Sequence, residues 1–274
     1  MLSKLLLKIP SLRSVPGLLS FEEHRHMEPS FFIVGFQKCG TTTLYDSIMA
    51  HPDAEPGIIK ENNILAEKGE RLDEFRLCFP LKKSGKITGD ASHLHTWMPY
   101  GLERIKKHFR KAKILVIMRN PVDRAFSHFN MDKKIGYIPE SMTFERFVDV
   151  EMQMRSGLKA EASMEEVYAN MKLFGNKYGW PISRGLYHIY IQRLIDLELD
   201  FLPIFTDDLQ LDFDSEMNRV FEFIGLKPIE IKRKQSNRGV YDDDLDADLR
   251  QKLEAFYKAP NERLAQLLSK KLPW

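Results

Sequence analysis

The sequence has very little cysteine, almost no net charge, no apolar run of membrane-spanning length and no tract rich in proline, serine and glycine. Each absence removes a class of protein. With Cys39 and Cys78 as its only cysteines, the chain has no disulfide framework, and a reducing compartment, the cytoplasm, is the expected setting. Lys and Arg number 41 against 39 Asp and Glu, and the resulting +2 is too small for a protein that grips a nucleic acid or another long polyanion through its surface field. Any anion site must therefore be local. The opening MLSKLLLKIPSLRSVPGLL is broken by Lys8, Pro10 and Arg13 well before the roughly 20 apolar residues needed to cross a bilayer, so no stable membrane anchor is expected. Residues 1–28 read as an N-terminal extension, either an amphipathic helix that touches a partner or lipid surface or a terminal helix that caps the core. No repeat or linker divides the rest of the chain. With 43% hydrophobic residues to fill one core, residues 29–274 are expected to form a single domain.

What is present alternates. Phe31-Phe32-Ile33-Val34-Gly35 is a short apolar run followed by a glycine- and threonine-rich turn and then by LYDSIMAH, whose spacing suits a helix. KAKILVIMRNP repeats the unit. Its continuous apolar run is expected of a strand buried on both faces, Asn120 is placed to cap a helix, and Pro121 suits the first helical position. Weaker strands are expected at PGIIK, KITGD and FLPIF, with helices at YGLERIKKHF, GLYHIYIQRLIDL and SEMNRVFEFIGL. This order predicts an α/β fold with a mainly parallel sheet flanked by helices. Residues 142–175 read as polar helices, a lid or a solvated surface pair, and residues 227–245 as a surface loop.

Gly35-Phe36-Gln37-Lys38-Cys39-Gly40-Thr41-Thr42 has the spacing of a phosphate-binding loop between a buried strand and a helix, where backbone N–H groups and the helix N-terminus converge on an anion. It departs from the nucleoside-triphosphatase pattern, because Lys38 precedes the second glycine instead of following it. The second buried strand also ends differently. An acidic residue that helps to hold Mg²⁺ is normal there in phosphoryl transfer, whereas this strand ends in Arg119-Asn120. A cationic strand end binds an anion and holds no metal. The two sites together predict a donor with two anionic ends, one at the loop and one at Arg119, with Ser127 adding a hydroxyl from the following helix. A sulfuryl group, less negative than a terminal phosphoryl group, suits transfer by Lys, hydroxyls and amides without a divalent ion.

Lys38-Cys39-Gly40-Thr41-Thr42-Thr43-Leu44 resembles the 5′-phosphosulfate loop of sulfotransferases that use 3′-phosphoadenosine 5′-phosphosulfate (PAPS). Arg119-Asn120-Pro121-Val122-Asp123-Arg124-Ala125-Phe126-Ser127 resembles their 3′-phosphate segment. The pattern is similar to the carbohydrate branch, which includes the heparan sulfate sulfotransferases, and extends through His51-Pro52-Asp53, Lys60-Glu61, Leu186-Tyr187-His188 and Ala259-Pro260-Asn261. The resemblance implies that Lys38 contacts the transferring sulfuryl group, that Cys39, Gly40, Thr41, Thr42 and Thr43 line the 5′ end, and that Arg119 and Ser127 hold the 3′-phosphate. Arg238-Gly239 falls where the family closes a Lys-Gly loop over that phosphate, but Val240 replaces a further basic residue and the disulfide hairpin of secretory members is absent.

An acceptor hydroxyl needs a base. The resemblance gives that role to Glu61, whose usual aromatic pair is here Ile64-Leu65; His95, near His93 just after KITGD, is the rival. The sequence thus predicts a PAPS-dependent, metal-independent sulfotransferase acting on a hydroxyl or nitrogen of a small natural product or metabolite rather than a polysaccharide, with no nucleic-acid partner and no motif that sets an oligomeric state. A nucleotide kinase with a degenerate loop and a non-catalytic nucleotide-binding module are the other readings.

Overall fold

Four short strands carry the core in the computed structural model, which describes residues 25–155, 180–233 and 245–274. They are β1 (Phe31–Ile33), β2 (Gly89–Ala91), β3 (Lys113–Met118) and β4 (Phe201–Phe205). The order is β2-β1-β3-β4 and every pairing is parallel. Phe31 lies opposite Gly89 and Lys113, and Ile114 opposite Phe201. Ile114 to Met118 are all buried, as are Phe31, Phe32 and Ile33. That continuous burial is why neither central strand alternates polar with apolar residues.

The helices are α1 (Thr41–Ile48), α2 (Leu72–Arg76), α3 (Leu94–Trp97), α4 (Gly101–His108), α5 (Pro121–Lys134), α6 (Phe144–Arg155), α7 (Tyr187–Asp196), α8 (Thr206–Leu211), α9 (Phe213–Phe223) and α10 (Ala247–Leu268). Helix α5 starts as its sequence dictates. The Asn120 side chain accepts hydrogen bonds from the N–H groups of Val122 and Asp123, and Pro121 opens the first turn. A cap of this kind contributes about 1 kcal/mol.

One expected strand is absent. In PGIIK the Gly57 N–H is taken by the Tyr45 hydroxyl (2.8 Å) and the Ile58 N–H by the Cys78 carbonyl (2.7 Å), and Pro56 has no N–H to offer. What remains is an isolated bridge between Ala54 and Ile87. The described end of the N-terminal stretch packs on the domain: Met27 donates to Pro80 (2.8 Å), Lys82 donates to Arg25 (2.9 Å), and His26 and Met27 are buried. Of the segment 142–175, α6 is described. Arg238 and Gly239 lie outside the described residues.

Because all four strands run the same way, the loops after β1, β2 and β3 emerge at one carboxyl edge. The chain moves outward from β1 in one direction to β2 and in the other to β3. Open parallel sheets bind ligands at such a switch.

Candidate functional site

The loop after β1 is shaped by backbone geometry. Lys38 and Gly40 both adopt left-handed conformations, with φ of 72° and 91°. That costs a lysine on the order of 1 kcal/mol and a glycine little. Gly40 caps α1 without a side chain, and no acceptor among the described residues meets the N–H groups of Gly40, Thr41, Thr42 or Thr43. The result is a ring of donors at the positive end of a helix dipole. A Cβ on Gly35 would lie 2.9 Å from the Ile117 carbonyl oxygen, so only glycine lets the loop cross β3 at this distance.

Several bonds lock the loop. The Cys39 N–H closes a turn on the Phe36 carbonyl (3.1 Å). The Thr206 hydroxyl, just after β4, shares its proton between the carbonyls of Cys39 (2.7 Å) and Met118 (3.0 Å). Arg124, fully buried, donates to the carbonyls of Gln37 (3.3 Å) and Pro181. Tyr187 donates to the Arg119 carbonyl (2.8 Å), fixing the end of β3. Cys39 is enclosed, and burial pushes its thiol up to about 11 despite nearby Arg124. It is a packing residue without thiolate chemistry.

Lys38 and Arg119 are half-buried, and neither has an ion-pair partner among the described residues. The charge of Lys38 reaches His128 and that of Arg119 reaches Cys39 and Asp207. Burial raises the Asp207 pKa above the ordinary aspartate value, and the Arg119 charge opposes that shift. Ser127 is buried on α5. Asp123, also on α5, pairs with Arg250 of α10 at 2.7 Å and ties the final helix to this end.

A family described as “Sulfotransferase domain” matches residues 28–238. The chain belongs to that family. Among curated proteins it is similar to carbohydrate sulfotransferase 15 of Mus musculus, 25% identical over 317 residues that cover 92% of this chain and 56% of that protein. It is also similar to heparan sulfate glucosamine 3-O-sulfotransferase 3A1 of Homo sapiens, 25% identical over 221 residues, covering 78% and 49%. The chain spans about half the length of the curated relatives it matches. Among solved structures, a sulfotransferase from Alicyclobacillus acidocaldarius has the same fold, with a TM-score of 0.71, 23% identity, and coverage of 89% of this chain and 97% of that one.

A second group of side chains lies along the segment after α1 and at the end of β2. Glu61 is exposed and left-handed, with φ of 56°. It does not pair with Lys60, which reaches Asp46 on α1 at 3.2 Å. Two residues on, Asn63 accepts from Ser92 at the end of β2 (2.5 Å). The Glu61 segment is thereby strung between α1 and β2. His95 has no exposed surface, and its Nε2 lies 2.7 Å from the buried Asp90 carboxylate. Phe32 and Phe75 pack against its ring. His93 is half-buried, and burial, followed by the charges of Arg184 and His95, pushes its pKa down to about 3; it is neutral at physiological pH.

Sequence reasoning passed over Gln37, Arg124, Arg184, Tyr187 and Thr206. Arg124 lies inside the RNPVDRAFS run and Thr206 directly follows FLPIF, so their places were visible although their contacts were not. Among the described residues there is no group of His, Cys, Asp and Glu placed to hold a metal ion, and no helix long and apolar enough to cross a membrane.

Proposed function

We propose that this protein transfers the sulfuryl group of PAPS to a hydroxyl of a sugar-containing acceptor. The observation that carries the reading is the pair of anion-ready ends at the sheet switch, neither of them matched by a partner among the described residues: the amides with Lys38 after β1, and Arg119 after β3. The amides of Gly40 to Thr43 and the hydroxyls of the three threonines receive the 5′-phosphosulfate. Arg119 and Ser127 receive the 3′-phosphate, and the family resemblance gives Arg238-Gly239 a part in binding it.

In this mechanism the acceptor oxygen forms a bond to sulfur as the bond from sulfur to the bridging oxygen breaks, leaving adenosine 3′,5′-bisphosphate. Lys38 neutralises charge that grows on the bridging oxygen, from a loop fastened by Thr206 and Arg124. Glu61 takes the acceptor proton, and its exposure leaves it open to an incoming hydroxyl. Support for a saccharide acceptor comes from the names of the curated relatives. A charge of +2 favours a short acceptor over a long polyanion.

The test is an assay with PAPS as donor against a panel of saccharides and other small hydroxyl compounds, read as mass gain of a sulfuryl group with and without EDTA. Transfer that persists in EDTA is expected. Activity that chelation abolishes and Mg²⁺ restores would point to phosphoryl-type chemistry and sink the reading.

A further inference from the structure

The direction in which Arg119 points is set by its backbone, because its side chain forms no ion pair among the described residues. Two hydroxyls hold that backbone. Thr206 donates to the Met118 carbonyl (3.0 Å) and Tyr187 to the Arg119 carbonyl (2.8 Å), so two consecutive carbonyls at the end of β3 are fastened from different elements. Each hydroxyl is only as well placed as the residue that carries it.

Trp274 packs against both supports. Beyond α10 the chain turns at Ser269, a left-handed cap with φ of 49°, and Lys270 then pairs with Asp208 of α8 at 3.1 Å and lies 4.9 Å from the centre of the Phe205 ring. Leu272 is buried. The Trp274 ring meets Phe205 edge-on, with centroids 5.3 Å apart and planes at 79°, and meets Tyr187 at 6.2 Å and 65°. Both separations are those of favourable aromatic pairs. Phe205 directly precedes Thr206 in the chain, and Phe205 and Tyr187 are themselves buried. The indole Nε1 is enclosed with no hydrogen-bond partner among the described residues. The ring therefore acts by packing alone.

Removing it would leave a void beside Phe205 and Tyr187, and the neighbours of a void relax into it only in part. Hydrogen bonds weaken steeply off line, and a binding group must be held to within about 0.5 Å. A small tilt of either hydroxyl is thus passed to Arg119. The β1 loop depends on Trp274 less, because it has further ties of its own from Arg124 to Gln37 (3.3 Å) and from Cys39 to Phe36 (3.1 Å).

We propose that Trp274 is a positioning residue for recognition of the donor's 3′-phosphate: by packing on Phe205 and Tyr187 it steadies the two hydroxyls that clamp the backbone of Arg119. This rests on the sulfotransferase reading above and adds to it a residue that acts through others.

The experiment is calorimetric titration of adenosine 3′,5′-bisphosphate and of AMP into wild type, Trp274→Ala, Trp274→Leu and Trp274→Phe, read as the ratio of the two affinities. The ratio cancels any loss common to both nucleotides, such as a general loosening of the fold. Wild type should favour the bisphosphate at least about tenfold. Trp274→Ala should lower that ratio about fivefold while AMP affinity stays within about twofold; Trp274→Phe keeps a ring and loses only the unused N–H, so its ratio should stay within about twofold of wild type. An unchanged ratio in Trp274→Ala, or equal losses for both nucleotides, overturns the proposal. So does a Trp274→Phe as impaired as Trp274→Ala. If melting shows Trp274→Ala unfolded, Trp274→Leu decides, with an unchanged ratio as the refuting result. If wild type binds the bisphosphate no better than AMP, the two-ended reading of the donor fails, and the role of Trp274 falls with it.

Discussion

The loop after β1 and the segment that carries Glu61 both approach the carboxyl edge of the sheet, yet they are built from different parts. In the loop, the groups offered to a ligand are backbone amides, and Thr206, Arg124 and Tyr187 fasten its carbonyls and those of its neighbours. In the Glu61 segment the group we propose as base is one exposed side chain on a left-handed residue, tied at a distance through Lys60 to Asp46 and through Asn63 to Ser92. A backbone site reads features common to every donor molecule and works when the path of the chain is right. A side-chain site is free to change with the acceptor. The donor end should therefore be rigid and sensitive to backbone changes, and the acceptor end sensitive to single side chains.

Kinetics offers the sharpest way to break that division. Glu61→Gln keeps the shape of the side chain but takes no proton, so the transfer rate should fall by roughly 10²–10⁴-fold with bisphosphate affinity nearly unchanged. Lys38→Ala should lower the rate by about 10²–10³-fold and weaken the donor as well. Single-turnover rates and calorimetry on the two variants separate these effects. Near-wild-type turnover in Glu61→Gln, together with a folded but inactive His93→Ala, would move the base to the half-buried histidine.

Donor affinity comes next. Arg119→Ala should cost about 2–4 kcal/mol of bisphosphate binding if the contact is a buried charged hydrogen bond, while AMP binding changes little. Parallel losses for both nucleotides would mean that Arg119 does not distinguish the 3′-phosphate.

A smaller effect concerns pH. Burial holds His93 near 3 and pushes His128 well below the ordinary imidazole value. Below about pH 6.5 the unfolded chain takes up protons that these folded histidines refuse, so stability falls as pH drops toward 3. Each contributes a slope of up to about 1.4 kcal/mol per pH unit. Replacing either with Gln should flatten the curve of stability against pH, and an unchanged slope would show that the side chain is open to water. Thr206→Val tests the lock on the loop and should cost about 1–2 kcal/mol in thermal or urea unfolding. A variant as stable as wild type would show that the hydroxyl does not hold the loop.

The same division explains what the sequence made legible. Strand, glycine turn and helix around residues 31–48 can be read because apolar runs, Gly35 and Gly40 each have one steric role, and the Asn120 cap follows from a local rule. PGIIK misleads because its N–H groups find partners in Tyr45 and Cys78, which lie apart from it in the chain. The burial of His95 against Asp90 and the Arg184 contacts with Gln37 and Trp97 come from packing between elements, which periodicity does not encode. Glu61 is legible through family resemblance; its left-handed backbone and lack of pairing with Lys60 emerge only in three dimensions.

A donor with two anionic ends should be read at one end by the β1 loop and at the other by Arg119. Calorimetry in EDTA with adenosine 3′,5′-bisphosphate, AMP and ATP tests it most directly. The bisphosphate should bind tightly, and AMP and ATP at least about tenfold more weakly, because neither carries a 3′-phosphate for Arg119 and Ser127. Equal affinity for AMP and the bisphosphate, or ATP binding that appears only when Mg²⁺ is restored, would contradict it.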